Sequence, residues 1–355
     1  MVEESQKAVV LLQKGEIKIE DRPIPKIEDP HFVKLHIKKT GICGSDVHYY
    51  KTGAIGDFVV KKPMILGHES SGVVVEIGDK VTSVKVGDKV AIEPGIPGRY
   101  SDVTKGGRYN LCPEMAFAAT PPIDGTLVKY YLAPEDFVVK LPDHVSLEEG
   151  ALVEPLSVGV HANRLAKVSY NQKVAVFGAG PVGLLTGAVA RAFGASEVVF
   201  VDVFLNKLEL SKSFGGTKFV DSSKFKDEND LIAEVEGALG GAQPEVVFDC
   251  TGAEVCIRAG VRVCKSGGTY VQVGAGKENV NFPIVALIAK ELKVLGCFRY
   301  SFGDYRDAVQ LVANGHVNVK PLVTHRFKFE EAIQAYDFNV QSGSEVIKTI
   351  IDGPE

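Results

Sequence analysis

The chain has 355 residues, 45% hydrophobic and 24% charged, with 40 Lys and Arg against 45 Asp and Glu for a formal net charge of −5. That length exceeds the size at which one hydrophobic core stops growing, so two domains are expected, and the ordinary composition excludes a disordered chain, a collagen-like repeat or a coiled coil. A mildly acidic charge without a Lys/Arg cluster excludes nucleic acid as a partner. No stretch approaches the roughly 20 apolar residues of a membrane span.

Near the N-terminus the apolar run Ala8–Leu12 is too short for the core of a signal peptide. The six cysteines, Cys43, Cys112, Cys250, Cys256, Cys264 and Cys297, contain no C-x-x-C pair, which suits a reducing compartment. A soluble, cytoplasmic protein is therefore expected. Through about residue 150, short β-branched runs such as Phe32–Ile37, Gly72–Ile77 and Lys89–Ile92 alternate with glycine and proline, an all-β pattern. Ser146-Leu-Glu-Glu149 matches a capping box and predicts a helix start.

From about Asn171 the rhythm changes. Apolar runs Val174–Phe177, Val198–Val201, Val246–Cys250, Thr269–Val273 and Val294–Gly296 alternate with helix-length segments. Continuous apolar strands imply burial on both faces, hence a parallel sheet between helix layers. Further on, Tyr305, Ala308, Val309 and Val312 form one helical stripe stopped by Asn314-Gly315, best understood as a packing face. The tail past Arg326 predicts a helix and then a strand around Val346–Ile351, and pattern alone leaves open which domain it joins.

Gly178-Ala-Gly180-Pro-Val-Gly183 follows the run Val174–Phe177 and opens a helical stretch, the context in which G-x-G-x-x-G binds a dinucleotide. The first glycine permits a tight turn, the second lets backbone approach a pyrophosphate, and the third lets helix and strand pack closely. Asp202, about 20 residues on at the end of the next strand, is placed to accept from the adenosine ribose hydroxyls. A carboxylate there repels a 2′-phosphate and so favours NAD over NADP, although Lys207 softens that rejection.

Three further segments carry metal-ligating side chains: Cys43 in GICGSDVHYY (41–50), His68 and Glu69 in GHE (67–69), and Glu154 in EPLSVGVHA (154–162). Thiolate, imidazole and carboxylate are groups that hold zinc. Taken singly, each residue is equally consistent with an ordinary structural position, so spacing alone leaves a metal site open.

These strings, together with GAGPVG and the late Phe298-Arg-Tyr300, occur in an order and at separations that resemble the polyol branch of the zinc-containing medium-chain dehydrogenases, sorbitol and xylitol dehydrogenases among them. The resemblance runs over nearly the whole chain. It implies an α/β protein in which a β-rich, GroES-like catalytic domain (1–155 with 298–355) is interrupted by a Rossmann domain (156–297), a doubly wound parallel sheet. It also implies a catalytic zinc surrounded by Cys43, His68 and Glu69, with Glu154 binding the ion directly or through water. Alcohol dehydrogenases of the superfamily usually carry cysteine where this chain has Glu154. Many relatives hold a second, structural zinc on four cysteines, but the matching positions here are Gly98, Ser101, Thr104 and Cys112, so one zinc per subunit is expected.

The implied reaction oxidises a secondary hydroxyl of a sugar alcohol, xylitol to D-xylulose or D-sorbitol to D-fructose, with hydride transfer to NAD. Ser45 and Glu154 are assigned to proton removal. Tyr49, Glu154, Arg299 and Tyr300 are expected to line the polyol, with Phe117 and Thr120 as further wall positions, while Arg299 is alternatively a cofactor contact. Val182, Lys207, Val273, Gly274, Ala275, Cys297 and Phe298 match family positions around the dinucleotide. Another polyol such as L-arabinitol remains open, as does a non-catalytic NAD-binding protein that kept the fold. Relatives are commonly homotetramers and sometimes homodimers, so a homo-oligomer is expected.

Overall fold

The computed structural model describes residues 4–343 and 345–355 and divides into two compact units. The first contains the chain up to Glu154 with Ser301–Ala313 and Leu322–Glu355; the second contains Pro155–Tyr300 and Asn314–Pro321. The units thus meet within a few residues of the expected boundaries, but the short stretch Asn314–Pro321 falls with the second unit, where the sequence reading had kept all of 298–355 in the first.

In the first unit a seven-stranded sheet runs in the order Val138–Lys140, Lys89–Ile92, Glu69–Ile77, Phe32–Gly41, Lys348–Asp352, Val323–Phe327. Tyr130–Pro134 pairs with Phe32–His36, on the edge where Lys348–Asp352 pairs only as far as Lys39. The tail therefore belongs to this unit: Ile350 pairs with Gly41 and Ile351 with Thr40. Alternation sets the core, with Val33, Leu35 and Ile37 on one face of their strand packing with Val74, Val90 and Ile92. A smaller sheet of Glu16–Pro23, Ser5–Gln13 and Met64–Ile65 adds a second cluster that includes Val9, Leu11, Leu66 and Tyr336.

The capping box forms as expected. The Glu149 N–H donates to Ser146 Oγ at 3.2 Å and the Ser146 N–H to Glu149 Oε2 at 2.9 Å, starting the helix Leu147–Ala151. The helix Asp304–Ala313 buries Tyr305, Ala308, Val309 and Val312.

The second unit is a six-stranded parallel sheet in the order Lys218–Asp221, Glu197–Asp202, Lys173–Phe177, Val246–Asp249, Thr269–Gln272, Lys293–Gly296. In chain order this is 3-2-1-4-5-6, the doubly wound arrangement of dinucleotide-binding sheets. Val174 to Phe177 are fully buried, as a central strand with helices on both faces requires. The strand Lys218–Asp221 was not anticipated. It is four residues long, has one strand neighbour and begins and ends on charged residues, so it lacks the apolar run that marked the others. No helix among the described residues is long and apolar enough to cross a membrane.

Candidate metal centre and dinucleotide cradle

Register in the first sheet gathers the metal-ligating residues. Gly41 pairs with Glu69 across two antiparallel strands, so the residues just past the end of one strand, Ile42 and Cys43, lie beside those at the start of the other, His68 and Glu69. Cys43 is the N-cap of the helix Gly44–Thr52, in extended conformation. One donor atom each from Cys43, His68 and Glu69 all fall within 4.8 Å of one another. His68 and Glu69 are 5% and 1% exposed. A sulfur, a ring nitrogen and a carboxylate oxygen so gathered match the donor types and number of a catalytic zinc site that keeps one position open.

The surroundings fit a cation too. His68 Nδ1 lies 3.2 Å from Asp46 Oδ1, near enough for charge attraction but without hydrogen-bond alignment. Burial works against a charged His68 ring, yet the Asp46 carboxylate and the Cys43 sulfur outweigh it and hold its pKa well above the usual histidine value. A neighbourhood this negative is stabilised by a proton or by a divalent ion. Tyr336 donates to Asp46 Oδ2 at 3.4 Å.

Glu154 lies in the first turn of the helix Val153–Ala166 and is 5% exposed. It stands outside the tight group of three, but its charge and that of Glu69 both reach Tyr305: burial first, then Glu154, Glu93 and Glu69, push that phenol well above its ordinary pKa. Ser45 is half-buried beside Cys43 in the helix Gly44–Thr52. The Phe117 ring stands 5.7 Å from His68, and the Thr120 N–H donates to the Phe117 carbonyl at 3.0 Å, so both wall positions lie in the loop facing His68. Tyr49 is 3% exposed within the cluster of Val9, Leu11 and Tyr336.

Sequence reading did not single out Asp46 or Lys348. Asp46 lies within the same string as Cys43 and is fully buried, and Lys348 is a lone charge in the apolar run Val346–Ile351. A charge where burial is expected was the available signal.

In the second unit the strand ends are level: Phe177 pairs with Val201 and Asp249, Asp249 with Gln272, and Gln272 with Gly296. Asp202, Gly178, Cys250, Val273 and Cys297 therefore lie in that order along the carboxyl edge of the sheet, where ligands bind in open α/β sheets. Gly178 has φ 93°, and its N–H donates to the Val201 carbonyl at 2.7 Å. A Cβ on Gly183 would collide with the Gly178 carbonyl, whereas one on Gly180 would meet nothing within 4 Å. Space is thus left beside Gly180 at the start of the helix Pro181–Ala192, which has no side-chain cap. Open N–H groups there, Val182 among the first-turn residues, form an anion site of the kind that holds a pyrophosphate.

Asp202 shapes the same loop, accepting from the Ala179 N–H at 2.7 Å and the Phe204 N–H at 2.9 Å. Lys207 Nζ stands 4.8 Å from the centre of the Phe204 ring. The N–H groups of Val273 and Gly274 both donate to the Asp249 carbonyl at 2.8 Å, and Ala275 follows in that loop. After Cys297, Arg299 stacks its guanidinium 4.8 Å from the centre of the half-exposed Phe298 ring and has φ 55°, while Tyr300 is fully buried.

Residues 29–143 match the family described as the alcohol dehydrogenase GroES-like domain, and residues 181–314 match the zinc-binding dehydrogenase family. The chain is 67% identical to sorbitol dehydrogenase 1 of Saccharomyces cerevisiae over 100% of both proteins, and 53% identical to D-xylulose reductase of the same yeast over 99% of both. A crystal structure of an Escherichia coli oxidoreductase/dehydrogenase of unknown specificity matches with a TM-score of 0.93 at 32% identity, covering 99% of this chain and 100% of that one. The chain belongs to the zinc-containing medium-chain dehydrogenases, in the branch of the sorbitol dehydrogenases and D-xylulose reductases, and is an oxidoreductase. Membership implies a nicotinamide dinucleotide and a catalytic zinc, which the two sites described above have the residues to hold.

Proposed function

We propose that this enzyme oxidises a secondary hydroxyl of a sugar alcohol, xylitol or D-sorbitol, to the ketone and passes the hydride to NAD. The observation that carries the reading is the grouping of Cys43, His68 and Glu69 within 4.8 Å in a chain 67% identical, end to end, to a sorbitol dehydrogenase. Zinc held there supplies Lewis acidity toward a hydroxyl oxygen, and bound NAD supplies the hydride acceptor.

The chain's own groups do the rest. The hydroxyl proton passes through the Ser45 hydroxyl, which gives up its own proton as it accepts one, and ends on the Glu154 carboxylate, which would also help hold the zinc, directly or through water. Tyr49, Phe117, Thr120, Arg299 and Tyr300 shape the polyol site. A substrate that is nearly all hydroxyl is well matched by such a set, because a site built to pair each hydroxyl rejects analogues lacking one. Gly178, Gly180, Val182 and Gly183 hold the pyrophosphate, Asp202 and Lys207 the adenosine ribose, and Val273, Gly274, Ala275, Cys297 and Phe298 the rest of the dinucleotide. The first unit then carries catalysis and the second NAD binding.

One zinc per subunit is part of the reading. Among the positions where relatives carry four cysteines, the Gly98 N–H donates to Cys112 Sγ at 3.3 Å. Burial raises the Cys112 thiol, but the Glu114 backbone and the Ser101 hydroxyl outweigh it and bring its pKa below the usual value, so hydrogen bonds meet this sulfur where a metal would elsewhere. A homodimer or homotetramer is supported by Ile284, Val285 and Ile288, which are 56%, 75% and 67% exposed, and by the strand Lys293–Gly296, which ends its sheet. The six free cysteines support a cytoplasmic location.

NADH formation with xylitol, D-sorbitol, L-arabinitol and ethanol, with and without a zinc chelator, tests the reading. Turnover of the first two, abolished by zinc removal, is expected. Turnover confined to ethanol overturns the polyol assignment, and full activity without zinc overturns the metal's role.

A further inference from the structure

Lys348 opens the strand Lys348–Asp352 and is 3% exposed. Its Nζ donates to Glu69 Oε1 at 2.6 Å, to Glu69 Oε2 at 2.7 Å and to the carbonyl of Ile42 at 3.1 Å. An ammonium has three N–H donors, so these three acceptors use all of them. On another side of the same carboxylate stands Gly41, where any Cβ would collide with Glu69 Oε2. The carboxylate is therefore bounded by Gly41 backbone and by Lys348, while an oxygen still lies within 4.8 Å of the Cys43 and His68 donor atoms.

A buried ion pair is a poor device for stability alone, because removing two charges from water costs about as much as their attraction returns. What it does secure is a fixed carboxylate with reduced negative charge. Each Glu69 oxygen that accepts from an ammonium has less electron density to give to a second cation. Lys348 also lies within the field of Cys43 and Glu154, so it offsets the accumulated negative charge of this pocket.

We propose that Lys348 is a positioning residue that shares Glu69 with the metal, aiming the carboxylate at the ion while weakening its hold and so keeping the ion electrophilic. This rests on the reading that Cys43, His68 and Glu69 bind a divalent ion. The sign of the effect separates it from a merely structural role. A lysine that only braces the site would, once removed, let the metal escape faster. A lysine that withdraws charge would, once removed, let Glu69 hold the metal more tightly.

The test uses full-length enzyme loaded with zinc or with cobalt(II), comparing Lys348→Met and Lys348→Arg with the wild type. Metal release to excess chelator is expected to slow on the order of tenfold in Lys348→Met, opposite in sign to the roughly 10- to 100-fold loss of metal affinity that follows removal of a supporting group behind a ligand. The visible cobalt bands of that variant should shift. Lys348→Arg keeps the charge on Glu69, though not the geometry of the ammonium, and should release metal faster than Lys348→Met and nearer the wild-type rate. If Lys348→Met does not fold, Lys348→Gln keeps two donors without the charge and carries the same expectation. Release that is unchanged or faster in the uncharged variants, with metal bound at full occupancy, overturns the role of Lys348 alone. Wild-type enzyme that binds no divalent ion overturns the metal reading and this inference with it.

Discussion

The two units present different kinds of group to the ligands expected of them. In the second, the groups left open for a dinucleotide are largely backbone: the N–H groups opening the helix Pro181–Ala192, left accessible by Gly178, Gly180 and Gly183 within six consecutive residues. In the first, the groups are side chains of Cys43, His68 and Glu69, with Lys348 behind Glu69, drawn together because the strands Phe32–Gly41, Glu69–Ile77 and Lys348–Asp352 are neighbours in one sheet. A local backbone device leaves a compact mark in the sequence, whereas one assembled by strand register leaves scattered residues that are ordinary one at a time.

The largest expected effect separates the two devices. His68→Ala should remove a zinc ligand, lower turnover by about a thousandfold or more and cut bound zinc, while NADH binding followed by fluorescence stays near wild type. A parallel loss of NADH binding would show that the two sites are not separable in this way. The mirror experiment is Gly180→Val, which fills the open space beside the helix start. NADH binding should weaken on the order of a hundredfold with zinc content unchanged, since backbone can no longer approach the pyrophosphate.

A third prediction compares two buried carboxylates within the first unit. Glu69 is met by an ammonium, but Glu93, 8% exposed, accepts only from the Tyr109 hydroxyl among the bonds described for it, and burial raises its pKa to about 7. Because the folded value lies above the ordinary 4.5, the folded state binds more protons between those two pH values, and stability falls as pH rises through that window. The loss is about 3 kcal/mol and is complete above pH 7. Thermal unfolding from pH 5 to 8 should show it, and Glu93→Gln should flatten the decline. A wild-type profile that rises with pH over this range would contradict the burial that holds Glu93 protonated.

The smallest effect concerns cofactor choice. Asp202→Ala removes the carboxylate that repels a 2′-phosphate, and kcat/KM with NADP relative to NAD should rise about tenfold. The same change frees the Ala179 N–H, so a loss of about 1 kcal/mol in stability accompanies it. Unchanged cofactor preference would show that Asp202 is not the discriminator.

Much of the second unit was legible before any coordinates. Its central strands are continuous apolar runs and its glycine loop sits between strand and helix, while in the first unit the Ser146 capping box is local chemistry that forms as written. The edge strand Lys218–Asp221 escaped notice because a strand with one strand neighbour needs no long apolar run. In the first unit the chemistry-bearing strings stood out, yet their grouping did not follow from spacing. Tyr49, expected at the substrate, also packs in the core with Val9 and Leu11.

What the chain determined by itself is whatever depends on neighbours within a few residues: the periods of strand and helix, the cap, the glycine turn and the presence of zinc-type donors. Only the tertiary structure decided that Gly41 and Glu69 pair, that the tail returns to lie against Phe32–Gly41, and that Lys348 is thereby delivered to Glu69. The physical reason is that strand pairing joins segments about 300 residues apart through backbone hydrogen bonds common to every sequence, so the register appears only when whole sheets compete to bury their apolar faces.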